Sequence, residues 1–253
     1  MDTSRKHTLL VLGGSSAIAL AYVRQRLTSL SATGQGLKVV LLGRNADKLK
    51  AEQADLEARG ADVAVLTGDL SSTGLIQDAL SSSDYIDEAV LAYGILTDQE
   101  KAQSDSEYLA AQIGANFTSA AVWLEVLAGK FAEQGHGQAV VLASVAGDRG
   151  RQSNYAYGSA KGGLDTFVAG LQHRFAGNKD IHFTLVKPGF VDTPMTAHIQ
   201  PKGPLWAKPE AIAIASEKGL LKRKNTVYAP WFWQGIMLLI KLTPAFVFHR
   251  TKL

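Results

Sequence analysis

The sequence predicts an α/β fold, a doubly wound parallel sheet of seven strands with helices on both faces and a C-terminal apolar and basic helix. Short aliphatic or β-branched runs alternate with longer segments of helical periodicity. No linker rich in Pro, Gly or Ser divides the chain. Strands separated by helices form right-handed crossovers, which build parallel sheets covered on both sides. We expect one domain over residues 1–225, followed by the last strand and a tail over residues 226–253.

The strands and helices follow from these patterns in chain order. The strand predictions are Leu9–Leu12, Leu37–Leu42, Val63–Thr67, Ala89–Ala92, Val140–Ala143, Phe183–Lys187 and Thr226–Ala229. The helix predictions are Ile18–Ser29, Ala46–Arg59, Leu75–Leu80, Ser106–Glu133, Tyr155–Ala176 and Pro209–Leu221. The segment Thr193–Pro209 contains four prolines, which predicts a loop or lid in place of a continuous helix. Ligands of doubly wound sheets bind beyond the carboxyl ends of the strands, so the turns there are the candidate site.

Composition excludes several classes of protein. The chain has 253 residues, 46% of them hydrophobic, which is enough for a large core. It has no cysteine, which rules out disulfides, thiolate metal sites and cysteine nucleophiles, and its six histidines show no metal-ligand spacing. Basic residues interleaved with aliphatic ones argue against nucleic-acid binding. The polar N-terminus runs into an apolar stretch too short for a signal peptide, so we expect a cytoplasmic protein.

The turns after the first three predicted strands are candidates for binding a dinucleotide. Gly13 and the small residues after it open a helix, where free N–H groups favour a phosphate; a turn that only packs helix against strand is the alternative. After the second strand, Gly43-Arg44-Asn45 has no acid to bind a ribose 2′-hydroxyl. Arg44 can instead pair with a 2′-phosphate, or it is a solvated arginine at a strand end. Asp69 meets the adenine edge or caps the next helix.

Four polar residues are candidates for catalysis. Tyr157 and Lys161 are four residues apart on one helix, so they share a face, and a cation there would lower the pKa of the phenol. A chance pairing is the alternative. Ser144 ends the fifth strand, where its hydroxyl can polarise a carbonyl. Asn116 lies inside a long predicted helix, where a polar side chain indicates a bond to backbone or water at the site.

On these residues the chain resembles the short-chain dehydrogenase/reductase family over nearly all of its length. The matching positions are Gly13–Ala19, Asp69, Asn116, Ser144, Tyr157, Lys161 and Pro188–Thr193. The resemblance implies a Rossmann-type fold and a catalytic set of Asn116, Ser144, Tyr157 and Lys161. It makes Tyr157 the general acid/base, with Lys161 lowering its pKa and holding the nicotinamide ribose. Ser144 would orient the carbonyl, and Asn116 would support a proton relay through water.

The resemblance also implies a cofactor and an assembly. NADP(H) is expected in preference to NAD(H), and pairing through the helices of Asn116 and Tyr157 implies a homodimer or homotetramer. The expected cofactor contacts are Gly13, Ser15, Ser16, Ala17, Ile18, Arg44, Asn45, Asp69, Leu70, Ala92, Tyr93, Gly94, Tyr157, Lys161, Pro188, Gly189, Val191 and Thr193. The function it implies is hydride transfer between nicotinamide and a carbonyl or secondary alcohol.

The sequence departs from the family pattern in two places. Ala17 and Ala19 stand where the family usually has glycines, and Leu91-Ala92-Tyr93-Gly94 stands where it usually has Asn-Asn-Ala-Gly. These departures motivate a second hypothesis, a non-catalytic NADP-binding sensor or scaffold. The complete proton-transfer set argues for the enzyme, because a binding module has no need of one.

The C-terminal tail differs in charge from the rest of the chain. From Lys218 onward there are seven basic residues and no acidic one, so the net charge of +3 conceals −4 over the first 217 residues. The apolar stretch Trp231–Leu242 would rise about 18 Å as a helix, too little to cross a bilayer core of about 30 Å. We expect Trp231–Leu253 to lie on the inner face of the cell membrane. Packing on a partner subunit or on the protein's own core is the alternative.

The tail, together with Val90–Gly94 and Gly147–Arg151, resembles one branch of the family, the reductase subunit of decaprenylphosphoryl-β-D-ribose 2′-epimerase. This resemblance implies a lipid-linked carbonyl substrate, a keto-sugar on a polyprenyl phosphate. Arg149 and Arg151 would then meet the substrate phosphate, or they are solvated loop arginines. A small soluble ketone or a steroid is the alternative substrate.

Overall fold

A parallel sheet of seven strands organises the residues that the computed structural model describes, which are 5–200 and 202–251. Its strands are β1 (His7–Leu12), β2 (Leu37–Gly43), β3 (Asp62–Thr67), β4 (Glu88–Leu91), β5 (Gly137–Leu142), β6 (Ile181–Pro188) and, last in the chain, β9 (Thr226–Ala229). They lie in the order β3-β2-β1-β4-β5-β6-β9, and every neighbouring pair is parallel. A separate pair consists of β7 (Phe190–Val191) and β8 (Trp206–Ala207). The predicted doubly wound sheet is therefore confirmed.

Ten α-helices connect or follow the strands within the described residues. They are α1 (Ala17–Ser31), α2 (Ala46–Ala58), α3 (Thr73–Ser81), α4 (Gln99–Ser104), α5 (Ser106–Ile113), α6 (Ser119–Gln134), α7 (Tyr155–Arg174), α8 (Pro209–Leu221), α9 (Trp233–Leu242) and α10 (Ala245–Phe248). The single helix predicted over Ser106–Glu133 is instead divided into α5 and α6 by a π-helical turn, Gly114–Thr118. The sequence did not predict α4.

Both faces of the sheet are buried, which explains why the strands are almost continuously apolar. Successive side chains of β1 point to opposite sides, so Leu9 and Leu10 belong to different apolar clusters. The first cluster includes residues of α1, α2 and α8, and the second includes residues of α3, α6 and α7. Burial of each leucine side chain contributes about 1.5–3 kcal/mol to the free energy of folding.

The sheet order reverses between β1 and β4, which opens a crevice at the carboxyl ends of these strands.

The proline-rich segment after β7 forms no continuous helix. A short 3₁₀ turn, Pro194–Thr196, is followed by irregular chain that returns to pair β8 with β7. The N–H of Asp192 donates to the carbonyl of Ala207 at 2.9 Å. Pro201, one of the four prolines, lies outside the described residues. The two ends of the loop predicted over Thr193–Pro209 are therefore held together by the pairing of β7 with β8.

The C-terminal helices pack one face on the protein and expose the other. Trp233 and Met237 of α9 are buried against Val145, in the loop that follows β5. The opposite face exposes Leu238, Leu239 and Leu242, and Phe246 of α10 is exposed beside it; Lys252 and Leu253 lie outside the described residues. Within the described ranges no helix has the length and hydropathy of a membrane span.

Candidate active site

A cavity of about 830 Å³ opens at the carboxyl ends of the strands. The turns after β1 to β6 and the segment after β7 line it. Every residue that the sequence predicts as a catalytic or cofactor contact lines this cavity except Asn45 and Asn116. Residues that the sequence did not single out add an apolar wall, which includes Ile95, Leu96, Val122, Met195 and Ile199.

The turn after β1 is shaped to receive a phosphate. Gly13 has φ +96°, and a Cβ there would lie 2.9 Å from the Cβ of Tyr93 and 3.0 Å from the carbonyl oxygen of Ala92. The first turn of α1 carries no acidic side chain, so its free N–H groups and dipole face the cavity unopposed. Of the two departures from the glycine pattern, Ala17 lines the cavity, whereas Ala19 is fully buried in the core. Relative to glycine at both positions, therefore, only the methyl group of Ala17 projects toward the cavity.

The turns after β2 and β3 place one cation and one carboxylate at the same end of the cavity. Arg44 is exposed and has no hydrogen bond or ion pair among the described residues. Asp69 accepts from the N–H and hydroxyl of Ser71, both at 2.9 Å, and these bonds, with Arg44 nearby, hold the pKa of Asp69 below its usual range. Asn45 does not reach the cavity, because its side chain caps α2 by accepting from the N–H of Lys48 at 2.9 Å. The cofactor contact of Asn45 stays a prediction, and its side chain is already engaged as the helix cap.

Asn116 does not line the cavity, but it hydrogen-bonds to the backbone of a residue that does, Ile95. Its Nδ2 donates to the carbonyls of Ile95 and Gln112, both at 3.0 Å, and its Oδ1 accepts from the N–H of Ile95 at 2.8 Å. A Cβ at Gly94 would lie 2.7 Å from this Oδ1 and 3.6 Å from Nζ of Lys161. Asn116 therefore anchors the loop after β4 beside the lysine, and the π-helical turn supplies its position, as such turns often do at functional sites. The water relay stays a prediction.

Tyr157, Lys161 and Ser144 meet at the other end of the cavity. Nζ of Lys161 lies 5.9 Å from the centroid of the Tyr157 ring and donates to the carbonyl of Leu142 at 3.1 Å. Burial raises the pKa of Tyr157 to about 12, against an opposing hydrogen bond with Ser144. Burial lowers the pKa of Lys161 to about 8, and Asp165 opposes this shift. The expected lowering of the tyrosine pKa is absent in this structure because desolvation outweighs other effects.

Ser144 occupies the last extended position after β5. Its Oγ accepts from the N–H of Ala146 at 3.1 Å, which orients the hydroxyl at the start of a short 3₁₀ turn. A neutral hydroxyl at this point can donate to a carbonyl oxygen. With a protonated Tyr157 next to it, the pair can bind and protonate such an oxygen.

The loop Pro188–Thr193 is backed by the C-terminal helix. A Cβ at Gly189 would overlap the indole of Trp233, which is 4% exposed and meets the ring of Phe190 edge-on at 5.5 Å. The sequence predicted Trp233 only as part of an apolar surface. Its contact with a glycine 44 positions earlier depends on tertiary packing.

The two loop arginines have different surroundings, and neither is simply solvated. The guanidinium of Arg149 donates to the carbonyls of Ile240 and Thr243 and lies 3.8 Å above the ring centroid of Phe248. It therefore holds the carboxyl end of α9 and does not line the cavity, so its expected meeting with a substrate phosphate is wrong. Arg151 does line the cavity, as Tyr157 does.

The residues present fit an extended dinucleotide. A helix N-terminus free of acids lies at one end, with Arg44, which forms no ion pair within the described part of the chain. The proton-donating group of Ser144, Tyr157 and Lys161 lies at the other end. Glycine at position 13 keeps the turn between them open, since any side chain there would collide with the loop after β4.

Comparison with known proteins gives one consistent result. The family model described as short chain dehydrogenase matches residues 7–203. An uncharacterized oxidoreductase of Mycobacterium tuberculosis, Rv2073c, is 36% identical over 256 residues, covering 99% of each chain. An uncharacterized oxidoreductase encoded in the mprA 5′ region of Streptomyces coelicolor is 35% identical over 249 residues, covering 96% of this chain and 95% of that one. A short-chain dehydrogenase from Sphingobium yanoikuyae, solved with NADPH, superposes with a TM-score of 0.76 at 21% identity, covering 94% of this chain and 97% of that one.

Proposed function

Because this chain belongs to the short chain dehydrogenase family and is an oxidoreductase, we propose that it reduces a ketone with NADPH. One observation carries the proposal: a protonated tyrosine, a serine hydroxyl and a buried lysine converge at one end of a dinucleotide-sized cavity. A raised tyrosine pKa suits an acid that gives a proton, which is the requirement of carbonyl reduction.

The residues of this chain would divide the reaction as follows. The nicotinamide supplies the hydride when bound. Ser144 donates a hydrogen bond to the carbonyl oxygen, and Tyr157 transfers its phenolic proton to that oxygen as negative charge develops. Lys161, protonated below its pKa of about 8, stabilises the tyrosinate that remains. Asn116 fixes the loop beside Lys161 and so keeps this group assembled.

The preference for NADP(H) over NAD(H) rests on the turn after β2. Arg44 is the cation closest in sequence to the end of that strand, and no acidic side chain takes the place that would favour a ribose 2′-hydroxyl. An exposed guanidinium without a partner among the described residues is suited to a 2′-phosphate. The relative from Sphingobium yanoikuyae was solved with NADPH, which supports the same choice.

We extend the proposal to a carbonyl substrate with a large apolar part, such as a keto-sugar on a polyprenyl phosphate. Support comes from the apolar side chains that line the cavity, among them Phe190, Met195 and Ile199. A small ketone or a steroid is the competing substrate, and a sensor that binds NADP(H) without turnover is the competing function. Residues Ser144, Tyr157 and Lys161 favour catalysis because such a sensor needs no proton donor.

The test is NADPH oxidation against keto-sugars, their polyprenyl-phosphate conjugates, steroids and simple ketones. Replacing Tyr157 with Phe should lower kcat/KM by at least about 100-fold while NADPH binding persists, because only the transferable proton is removed. Tyr155→Phe is the matched control, since that ring is exposed two residues away and should leave the rate unchanged. Full turnover by Tyr157→Phe would remove the proposed mechanism, and NADPH binding without turnover of any carbonyl would favour the sensor.

We further propose that the tail lies on an anionic lipid surface. Trp231, Leu239 and Leu242 are 82%, 71% and 72% exposed, and they extend a surface that no described side chain covers. No acidic residue follows Glu217, and Lys241 lies on the exposed side of α9, so the charge of the tail complements anionic lipid. An apolar face flanked by cations is the pattern of an interfacial helix.

Flotation with vesicles of phosphatidylglycerol and phosphatidylcholine tests this contact. Wild type should float with the anionic vesicles, and serine at positions 238, 239 and 242 together should abolish flotation. The control replaces Ile214 and Leu221, two exposed aliphatic residues of α8, with serine, and this variant should float as the wild type does. If the wild type does not float but forms a dimer, and the variant with serine at positions 238, 239 and 242 is a monomer, then the exposed face of α9 contacts a partner subunit.

A further inference from the structure

Arg151 is a half-buried cation that forms no ion pair among the described residues. Its side chain lies between the end of the 3₁₀ turn after β5 and the start of α7, and it lines the same cavity as Ser144 and Tyr157. Its Nε is buried and has no hydrogen-bond partner among the described residues. Its Nη2 contacts only the Sδ of Met237, at 3.5 Å, and a thioether is a weak acceptor. Burial holds the pKa of this guanidinium below its usual value.

The nearest carboxylate is already committed elsewhere. Asp148 attracts Arg151 electrostatically, but its two oxygens accept from Lys187 at 2.5 Å and from the hydroxyl of Tyr228 at 2.8 Å. No described carboxylate forms an ion pair with Arg151. Arg149, two positions earlier, has both carbonyl partners and an aromatic ring, so an unsatisfied guanidinium is not a general feature of this loop.

A partly desolvated cation with a buried, unpartnered Nε and no ion pair among the described residues is costly, and its place in a cavity suits it to a ligand of opposite charge. A guanidinium offers paired N–H donors that match the oxygens of a phosphate. The cofactor phosphates already have a separate place at the acid-free start of α1 and at Arg44. Arg151 belongs instead to the end that holds Ser144, because its contact Met237 packs against Val145, the residue after Ser144.

We propose that Arg151 binds a phosphate group carried by the carbonyl substrate and is a specificity-determining residue. The inference rests on the proposed function for its substrate but can be measured as binding alone. The phosphate can belong to a soluble sugar phosphate or to a lipid-linked headgroup, and in both cases Arg151 recognises the same oxygens. Met237 of α9 contacts the arginine, and the buried Trp233 belongs to the same apolar cluster as Met237, so the C-terminal helix forms part of this subsite.

Calorimetric titration of the NADP⁺-saturated protein tests the site without turnover. The probes are farnesyl phosphate, ribose 5-phosphate and the uncharged farnesol. Wild type should bind at least one of the two phosphates more tightly than farnesol, and Arg151→Met should weaken that phosphate about 10- to 100-fold, the usual effect of losing a charged hydrogen-bond donor. Binding of farnesol should not change. Preference for farnesyl phosphate identifies a lipid-linked source, and preference for ribose 5-phosphate a soluble one.

Two variants keep the result interpretable. Arg151→Lys retains the charge without the fork of donors and should recover part of the phosphate affinity. Lys222→Met removes an exposed cation outside the cavity lining and should bind every probe as the wild type does. Equal phosphate binding by wild type and Arg151→Met would overturn the proposal, even if neutral ketones are reduced normally. It would also be overturned if Arg151→Met lost affinity for NADP⁺ alone, because Arg151 would then belong to the cofactor.

Discussion

Two buried charge networks lie at opposite ends of the sheet, and only one of them adjoins the candidate active site. At the amino end of β4, the fully buried carboxylate of Glu88 accepts from Arg26 at 2.9 Å, from Tyr22 at 2.6 Å and from Gln138 at 3.0 Å. Nε2 of His7 also lies 3.1 Å from the Glu88 carboxylate, and this contact, with the charge of Arg26 and the hydroxyl of Tyr22, outweighs burial and holds the pKa of Glu88 at about 2. None of these five residues lines the cavity.

The second network lies at the carboxyl end of β6, under the loop that begins with Pro188. Nζ of Lys187 lies 2.5 Å from Asp148 and 2.5 Å from Asp165, and Tyr228 donates to Asp148. Asp165 is one helical turn after Lys161 on α7, and burial raises its pKa to about 6. Both networks neutralise buried charge in the same way. We expect the first network to affect stability alone and the second to affect the chemistry as well, because only the second lies beside Lys161.

The largest expected effect comes from removing the cation of the second network. Lys187→Met leaves Asp148 and Asp165 buried without their partner, which should lower the free energy of unfolding by about 3–5 kcal/mol. The same change alters the charge next to Lys161, so kcat/KM for carbonyl reduction should fall as well. Denaturant unfolding and steady-state kinetics measure the two effects.

Lys6→Met is the control for this substitution. Its ion pair with Asp62 is exposed, with 55% and 52% of the two side chains accessible, and such pairs contribute about 0–1 kcal/mol. Comparable losses in both variants would mean that the Lys187 network contributes no more than a surface pair.

The next effect is the acid sensitivity of the first network. Since the folded protein holds the pKa of Glu88 at about 2, below its value in an unfolded chain, the carboxylate stabilises the protein above about pH 4.5. That contribution, roughly 3 kcal/mol, is lost as pH falls from about 4.5 to 2. Glu88→Gln should flatten this part of the stability curve, while kcat at neutral pH stays unchanged. An unaltered acid limb in the variant would contradict this assignment.

Much of this architecture can be predicted from sequence. The bounds of the seven strands agree with their predictions to within three residues because buried parallel strands are continuous apolar runs, as Leu37–Gly43 shows. The turns that line the cavity follow from the strands, since a parallel sheet brings all carboxyl ends together. A residue such as Arg44 could therefore be placed before any coordinates were known.

The parts that were not predicted depend on contacts between distant residues. The π-helical turn around Asn116 is only five residues long, too short for the periodicity of the segment Ser106–Glu133 to distinguish it from a continuous helix. Asn45 looks like a ligand contact but serves as a helix cap, a role that depends on where α2 begins. The network of Lys187 joins β6, α7, β9 and the loop after β5, and no local motif predicts which carboxylate faces it.

The smallest predicted effect tests the coupling between the second network and catalysis. Lys161 has a pKa of about 8, and the carboxylate of Asp165 raises it. Above that pKa the lysine is neutral and no longer stabilises the tyrosinate, so kcat/KM for reduction should fall on the alkaline side. Asp165→Asn removes the charge at constant shape and should move this alkaline limb to lower pH by about half a unit to one unit.

The sign of the shift is what separates the two networks. Loss of a neighbouring anion makes the protonated lysine less favourable, so the limb must move down and not up. Glu88→Gln removes a more deeply buried carboxylate at the opposite end of the sheet, and its pH–rate profile should overlay that of the wild type. A profile unmoved by Asp165→Asn, or moved equally by both variants, would show that the second network holds the fold without tuning Lys161. If only Asp165→Asn moves it, then the ion pairs at the carboxyl end of β6 set the pH range over which the site can donate its proton.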